Sequence, residues 1–150
     1  MNTVIIKKIQ KHIIQLLPVN KKNQRCILLS DSCSELAYLV ASWIIKLDKT
    51  NHIFIIKGKN VCNTKKSHDI LIVTTSINLV YIVDPSIWQF FPQAKSILVT
   101  IVDDVNFALY KIRTIYGGQW SKNEELIQLD KNEEREYLNI IYQNIHESLN

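Results

Sequence analysis

The chain has 150 residues and a formal net charge of +4; 47% of its residues are hydrophobic and 21% are charged. Such a composition is typical of a globular protein and argues against a disordered chain. The length suits a single domain over residues 1–150. No apolar run approaches the roughly 20 residues of a membrane-spanning helix, so no membrane association is expected.

The positive charge is concentrated near the N-terminus, where five lysines and Arg25 lie within residues 7–25. A surface that binds nucleic acid would be expected to carry aromatic side chains among its basic residues, and this stretch has none. The lysines are therefore interpreted as solvated helix faces, and no nucleic-acid partner is expected. An acidic protein partner stays an open alternative.

Cys26, Cys33 and Cys62 make an odd number of cysteines without CxxC spacing. This pattern argues against a disulfide framework and favours a reducing, cytoplasmic compartment. Lysines interrupt the apolar residues at the start of the chain, so no signal peptide is expected there. No close pair of ligands would nucleate a metal site, and we predict neither a metal nor another cofactor.

The first predicted element is an amphipathic helix over residues 3–17, which Pro18 ends. A polar turn follows at residues 19–24, and within it Gln24 is a candidate oxyanion donor. A second helix is predicted to begin at Cys33, after Asp31 or Ser32 as N-cap, and to end near Leu47. In the first turn of a helix the unpaired backbone N–H groups and the helix dipole favour a thiolate.

The rest of the chain predicts a mainly antiparallel sheet followed by helices, an α+β fold. Continuous β-branched runs favour strands that are covered on both faces. The predicted strands are residues 53–56, 70–73, 79–83 and 96–102. The predicted C-terminal helices are residues 105–116 and 132–149, whereas residues 119–129 fit no single element.

His68 opens one of these runs and Asp84 closes the next. A thiolate becomes a catalyst when a histidine carries the proton and a carboxylate orients that histidine. In an antiparallel pair, two residues face the same side only if their index sum differs from the ladder constant by an even number. The Cys33-His68-Asp84 triad therefore requires a hairpin loop with an odd number of residues, or a compensating β-bulge. An index sum of 152 would centre this hairpin on Ser76.

A helix-opening Cys33, a strand over residues 51–58, a strand led by His68 and a strand ending in Asp84-Pro85 follow one another along the chain. This order resembles that of the transglutaminase-like, papain-related cysteine enzymes. It is also similar to that of arylamine N-acetyltransferases and bacterial glutamine-deamidase effectors. The resemblance implies a papain-like core, in which the helix that opens with Cys33 packs on the sheet.

The resemblance also implies acyl transfer on a glutamine side-chain amide of a protein or peptide, by deamidation or transamidation. A cysteine peptidase of the same fold is the alternative enzyme. Trp88 and Gln89 follow the predicted catalytic Asp84 closely and are candidates to line the substrate cleft. A second class of function is a non-enzymatic interaction module that binds its partner through the aromatic segment from Trp88 to Phe91.

Overall fold

The computed structural model describes residues 3–24 and 28–149, with the side chains of Asn23 and Glu124 left aside. Arg25 and Cys26, which the sequence analysis considered, lie outside the described residues. The longer helices are α1 (Thr3–Gln15), α2 (Cys33–Leu47), α3 (Val105–Tyr116) and α4 (Lys131–Leu149). The strands are β1 (His52–Lys59), β2 (His68–Thr74), β3 (Val80–Asp84), β4 (Leu98–Val102) and β5 (Gln119–Leu126).

The five strands form one sheet in the order β4-β3-β2-β1-β5, and every neighbouring pair is antiparallel. The α+β class with a mainly antiparallel sheet is therefore confirmed. β5, in the stretch that fitted no single element, pairs with β1 and forms one edge of the sheet. None of the described helices combines the length and the apolarity needed to cross a membrane.

The sheet separates two hydrophobic cores. Residues of α1, α2 and α4 pack against one face, together with Leu71 and Val73 of β2. Residues of α3 cover the other face, together with Ile70 and Ile72. Because side chains alternate along a strand, the central β2 contributes to both cores, and its first six residues are buried. The prediction of a strand covered on both faces is confirmed.

The hairpin between β2 and β3 decides the geometry of the predicted triad. Its paired residues run from Leu71 with Val83 to Thr74 with Val80, which leaves residues 75–79, an odd number, in the connection. The odd loop that the sequence argument required is confirmed. The pairing constant is 154 rather than 152 (71 + 83, and 74 + 80), so the hairpin is not centred on Ser76. His68 and Asp84 are consequently offset by two positions, on a diagonal across the two strands, and still share a face of the sheet.

Candidate active site

Cys33 is the first residue of α2, as predicted, and is half-buried. A short 3-10 helix (Ser30–Ser32) leads directly into it, and Ser32 makes no side-chain capping bond to α2. Instead, the Ser32 hydroxyl accepts a hydrogen bond from the Asn144 side-chain amide at 3.1 Å, and the same amide donates to the Asp31 carbonyl at 3.3 Å. Ser32 thus occupies the predicted N-cap position without a capping side-chain bond, and Asn144 of α4 fixes the chain that precedes Cys33.

His68 and Asp84 form a buried pair at the end of the sheet. The Nε2 atom of His68 lies 2.8 Å from Oδ2 of Asp84, and both side chains are fully buried. They lie on the face that α3 covers, because His68 shares its parity with Ile70 and Ile72. The structure therefore brings these two predicted residues into direct contact.

Asp84 has two further partners, and the sequence analysis missed one of them. The Tyr116 hydroxyl, at the end of α3, donates to Oδ2 of Asp84 at 2.5 Å. The backbone N–H of Ser86 donates to Oδ1 at 3.0 Å. Burial and the charge of Asp84 raise the pKa of Tyr116, so this hydroxyl keeps its proton and serves as a donor. The sequence indicated only that Tyr116 belongs to an apolar helical pattern, and it did not indicate a contact with Asp84.

Gln89 contacts the other nitrogen of the same imidazole. Its Oε1 atom lies 3.1 Å from Nδ1 of His68, while its Nε2 atom donates to the Ser67 carbonyl at 3.4 Å. The Ser67 carbonyl can only accept, which orients the Gln89 amide and points its oxygen at His68. Both ring nitrogens of His68 then face acceptors, an arrangement that favours a doubly protonated imidazolium.

The pKa of His68 agrees with this protonation. Burial acts to lower it, but the charge and hydrogen bond of Asp84, followed by the hydrogen bond and charge of Cys33, raise the pKa from 6.5 to about 10. Cys33 is thus close enough to influence the pKa of His68, and the predicted nucleophile lies near the buried pair of His68 and Asp84. At neutral pH the arrangement favours an imidazolium held between the Asp84 carboxylate and the Gln89 amide oxygen.

Cys33 and Gln89 line the same surface cleft, which has a volume of about 310 Å³. Its other lining residues are Ser30, Asp31, Lys65, Lys66 and Ser67. Gln89 therefore lies where it was predicted, beside the nucleophile. Gln24, at the end of the 3-10 helix Val19–Gln24, is half-buried and is not among the described residues that line this cleft. Its role as an oxyanion donor stays a prediction.

Trp88 is not a cleft residue, and its prediction as a substrate-binding residue is wrong. Only 1% of it is exposed, and its indole N–H donates to the Ala94 carbonyl at 2.7 Å. It belongs to the core on the α2 side of the sheet. The short 3-10 helix Ile87–Gln89 carries both residues, and it turns Trp88 inward while Gln89 faces His68.

Aromatic rings enclose the buried part of His68. Phe90 meets the imidazole edge-on, with ring centroids 5.0 Å apart, and the Tyr116 ring centroid lies 5.7 Å away. Trp120 contacts Tyr116 in turn and covers Gly58, where an added Cβ would lie 2.6 Å from the indole ring. Gly58 pairs with His68 on one side and with Trp120 on the other. The absence of a side chain at this position of β1 allows the indole of Trp120 to lie close to the backbone.

Asp69, the neighbour of His68, faces the opposite side of β2. It pairs across the sheet with Lys57, whose Nζ atom lies 3.3 Å from Oδ2 of Asp69. Cys62 is a free, half-buried thiol that packs against the core under α3. Within the described ranges, no group of three or more His, Cys, Asp or Glu side chains is arranged to hold a metal ion.

Comparison of the chain with protein-family models, with curated proteins and with solved structures finds no match. The function is therefore inferred from the geometry of this site.

Proposed function

We propose that the protein is a cysteine-dependent acyl-transfer enzyme that acts on a glutamine side-chain amide of a protein or peptide. The observation that carries this proposal is the buried imidazole of His68, which contacts Asp84 at 2.8 Å through Nε2 and contacts Gln89 through Nδ1, where Gln89 lines one cleft with the Cys33 thiol. A buried histidine needs one hydrogen-bonding partner to be satisfied. An acidic partner on one side and a free thiol on the other is the arrangement of a nucleophile with its oriented base.

In the first half-reaction, the thiolate of Cys33 attacks the side-chain carbonyl carbon of glutamine, and a C–S bond forms. The carbonyl oxygen becomes an oxyanion, and the backbone N–H of Cys33, at the start of α2, is the proposed donor to it. The His68 imidazolium then gives its proton to the amide nitrogen. The C–N bond breaks, ammonia leaves and a thioester remains on Cys33.

In the second half-reaction, His68 is neutral and acts as the base. It takes a proton from water, whose oxygen attacks the thioester carbon, and the C–S bond breaks to release glutamate and regenerate the thiolate–imidazolium pair. A primary amine in place of water gives transamidation. Asp84 stays ionised throughout and stabilises the imidazolium that each half-reaction requires.

Two observations bear on the alternatives. The cleft of about 310 Å³ is at the small end of ligand sites, which favours one projecting side chain over an extended peptide that crosses the site. A peptidase is accordingly the second choice. Trp88, one residue of the aromatic segment proposed for the interaction module, is in the core, so this segment presents no exposed Trp side chain to a partner.

The nucleophile can be tested by thiol labelling at mildly acid pH. We expect iodoacetamide to modify Cys33 faster than Cys62, because Cys33 lines an open cleft, whereas burial and the charge of Asp84 raise the pKa of the Cys62 thiol. Peptide mapping by mass spectrometry measures both rates in one sample. Equal rates at the two cysteines would remove the activated nucleophile and with it the proposal.

Activity can be tested by incubating glutamine-containing proteins and peptides with the enzyme, with and without a primary amine. Intact-mass measurement and peptide mapping distinguish amide-to-acid conversion, amine incorporation and chain cleavage. Cys33→Ser should abolish all conversion and keep the fold, since the exchange is nearly isosteric, whereas Cys62→Ser is the matched control and should stay active. A dead Cys62→Ser enzyme beside an active Cys33→Ser enzyme would contradict the assignment, and cleaved chains would identify a peptidase.

A further inference from the structure

Two lysines lie beside the nucleophile. Lys65 and Lys66 line the cleft that holds Cys33, and both side chains are exposed. Neither takes part in any ion pair between described residues, although four such pairs exist elsewhere in the described ranges. Two ammonium groups are thus present at the entrance to a proposed active site, without an ion-paired carboxylate to neutralise them.

The backbone that carries these lysines is fixed in place. The Lys66 carbonyl accepts a hydrogen bond from the Val61 N–H at 3.1 Å, and the Lys66 N–H donates to the Thr64 hydroxyl at 3.0 Å. The Thr64 hydroxyl donates in turn to the Val61 carbonyl at 2.6 Å. After one more residue, Ser67, the chain enters β2 at His68, so the turn sets both lysines at a defined position relative to the imidazole.

The cleft also contains one carboxylate, that of Asp31. It offsets part of the positive charge of the lysines and leaves an excess of about one charge. On acylation the Cys33 thiolate and the His68 imidazolium lose their charges together, so this excess is the same in the free enzyme and in the acyl-enzyme. A carboxylate carries the single negative charge that balances such an excess.

We propose that Lys65 and Lys66 form a subsite for a carboxylate of the substrate, so that the enzyme selects glutamines next to a Glu or Asp residue. This inference rests on the proposed function and names the substrate class of the same cleft. Each lysine acts as a point charge with a flexible stem, which allows the acidic residue to lie on either side of the glutamine. The lysines bind and orient substrate and take no part in proton transfer.

Matched electrophiles test the subsite without requiring turnover. The probes are N-chloroacetyl-glutamic acid amide and N-chloroacetyl-glutamine amide, which have the same shape and differ in one charge. The thiolate of Cys33 attacks the chlorinated carbon, a C–S bond forms and chloride leaves. The ratio of the two labelling rates at Cys33, measured by peptide mapping, reports the charge preference, and the same ratio at Cys62 provides an internal reference.

We expect the glutamic acid probe to label Cys33 on the order of fivefold faster than the glutamine probe at low salt, relative to the ratio at Cys62. In about 1 M salt, where the Debye length is about 3 Å, the preference should disappear. The Lys65→Gln/Lys66→Gln double variant should lose it at low salt. The matched control is Lys49→Gln/Lys131→Gln, which removes the same charge at the far end of the molecule and should keep the preference.

Lys49 lies beyond the C-terminal end of α2, and Lys131 begins α4, whose other end carries Asn144 beside Ser32. Both control positions are therefore remote from Cys33. Equal labelling by the two probes in the wild-type protein, with Cys33 still faster than Cys62, would overturn the carboxylate subsite and leave the proposed function intact. Failure of any probe to label Cys33 would overturn both.

Discussion

Two ion pairs on the two faces of β2 differ in almost every physical respect. His68 and Asp84 lie 2.8 Å apart, and neither side chain is exposed to solvent. Asp69, the next residue along the strand, pairs with Lys57 at 3.3 Å, and 41% of the Lys57 side chain is exposed. One step along a strand therefore separates a charge pair in a closed environment from one at the solvent boundary.

The difference is in how the charges are supported. Asp84 accepts from His68, from the Tyr116 hydroxyl and from the Ser86 N–H, so its desolvated charge is distributed over three donors. Asp69 has Lys57 as its side-chain partner. A pair that is buried on both sides needs such a network to be tolerated, whereas a pair with one exposed partner is screened by water on that side and contributes less. The buried pair is thus the one whose surroundings keep a proton on His68.

Removal of each carboxylate in turn is the strongest test of the difference between the two ion pairs. Asp84→Ala leaves His68, Tyr116 and Ser86 without their acceptor, and we expect a loss of about 3–5 kcal/mol in the free energy of unfolding. Asp69→Ala should cost about 1 kcal/mol or less, because Lys57 can turn to solvent. Urea denaturation measures both losses.

If Asp84→Ala does not fold, Asp84→Asn supplies the same test, since it keeps the shape and removes the charge. Its Cys33 should react with iodoacetamide more slowly than in the Asp69→Asn protein, because the imidazolium that stabilises the thiolate is no longer favoured. Equal losses of stability and equal thiol reactivity in the two asparagine variants would show that the buried pair has no special role.

The second test uses pH. The pKa of His68 is raised from 6.5 to about 10 in the folded protein, so the folded state binds more protons than the unfolded state between these values. The stabilising effect of the imidazolium is complete below pH 6.5 and is lost as the pH rises through about 10. We expect the free energy of unfolding to fall across this window, by at most about 1.4 kcal/mol per pH unit.

Denaturation at a series of pH values measures that slope. His68→Gln removes the titrating group and should flatten the curve. His52→Gln is the control, since 67% of the His52 side chain is exposed and its removal leaves the buried pair unchanged. A wild-type curve that is level or rises between pH 6.5 and 10 would show that His68 is not held as an imidazolium.

Local patterns explain why much of this site was predictable. The start of α2 at Cys33 follows from helical periodicity, and the shared face of His68 and Asp84 follows from the two-residue alternation of strands. These rules act over a few residues. They also required the odd loop between β2 and β3, because an even loop without a bulge would have turned Asp84 to the other face.

The incorrect and missing predictions depend on contacts between distant parts of the chain. β5 has mostly exposed polar side chains and forms because it pairs with β1, which its own sequence does not reveal. Trp88 and Gln89 are adjacent in a short 3-10 helix, and spacing from Asp84 cannot tell which of them turns inward. Tyr116 reaches Asp84 across 32 positions of sequence, at the end of a helix predicted only as core.

The smallest expected effect concerns that missed residue. Tyr116→Phe removes the hydroxyl that donates to Asp84 at 2.5 Å and leaves the ring in its packing against His68, Phe91 and Trp120. No donor is left unpaired, so we expect a loss of about 1–2 kcal/mol in the free energy of unfolding. Tyr110→Phe, on the same helix with 63% of the residue exposed, is the matched control and should change stability by less than about 0.5 kcal/mol.

A positioning role predicts a second change that lost packing would not produce. Without the hydroxyl, the charge of Asp84 is shared between His68 and the Ser86 N–H alone, so its attraction for the imidazolium proton increases and the pKa of His68 should rise. The fall in stability at alkaline pH should therefore continue to a higher pH in Tyr116→Phe than in the wild type. A shift in the opposite direction, or none, would make Tyr116 a packing residue only. The network around Asp84 would then contain two functional donors, His68 and the Ser86 backbone, rather than three.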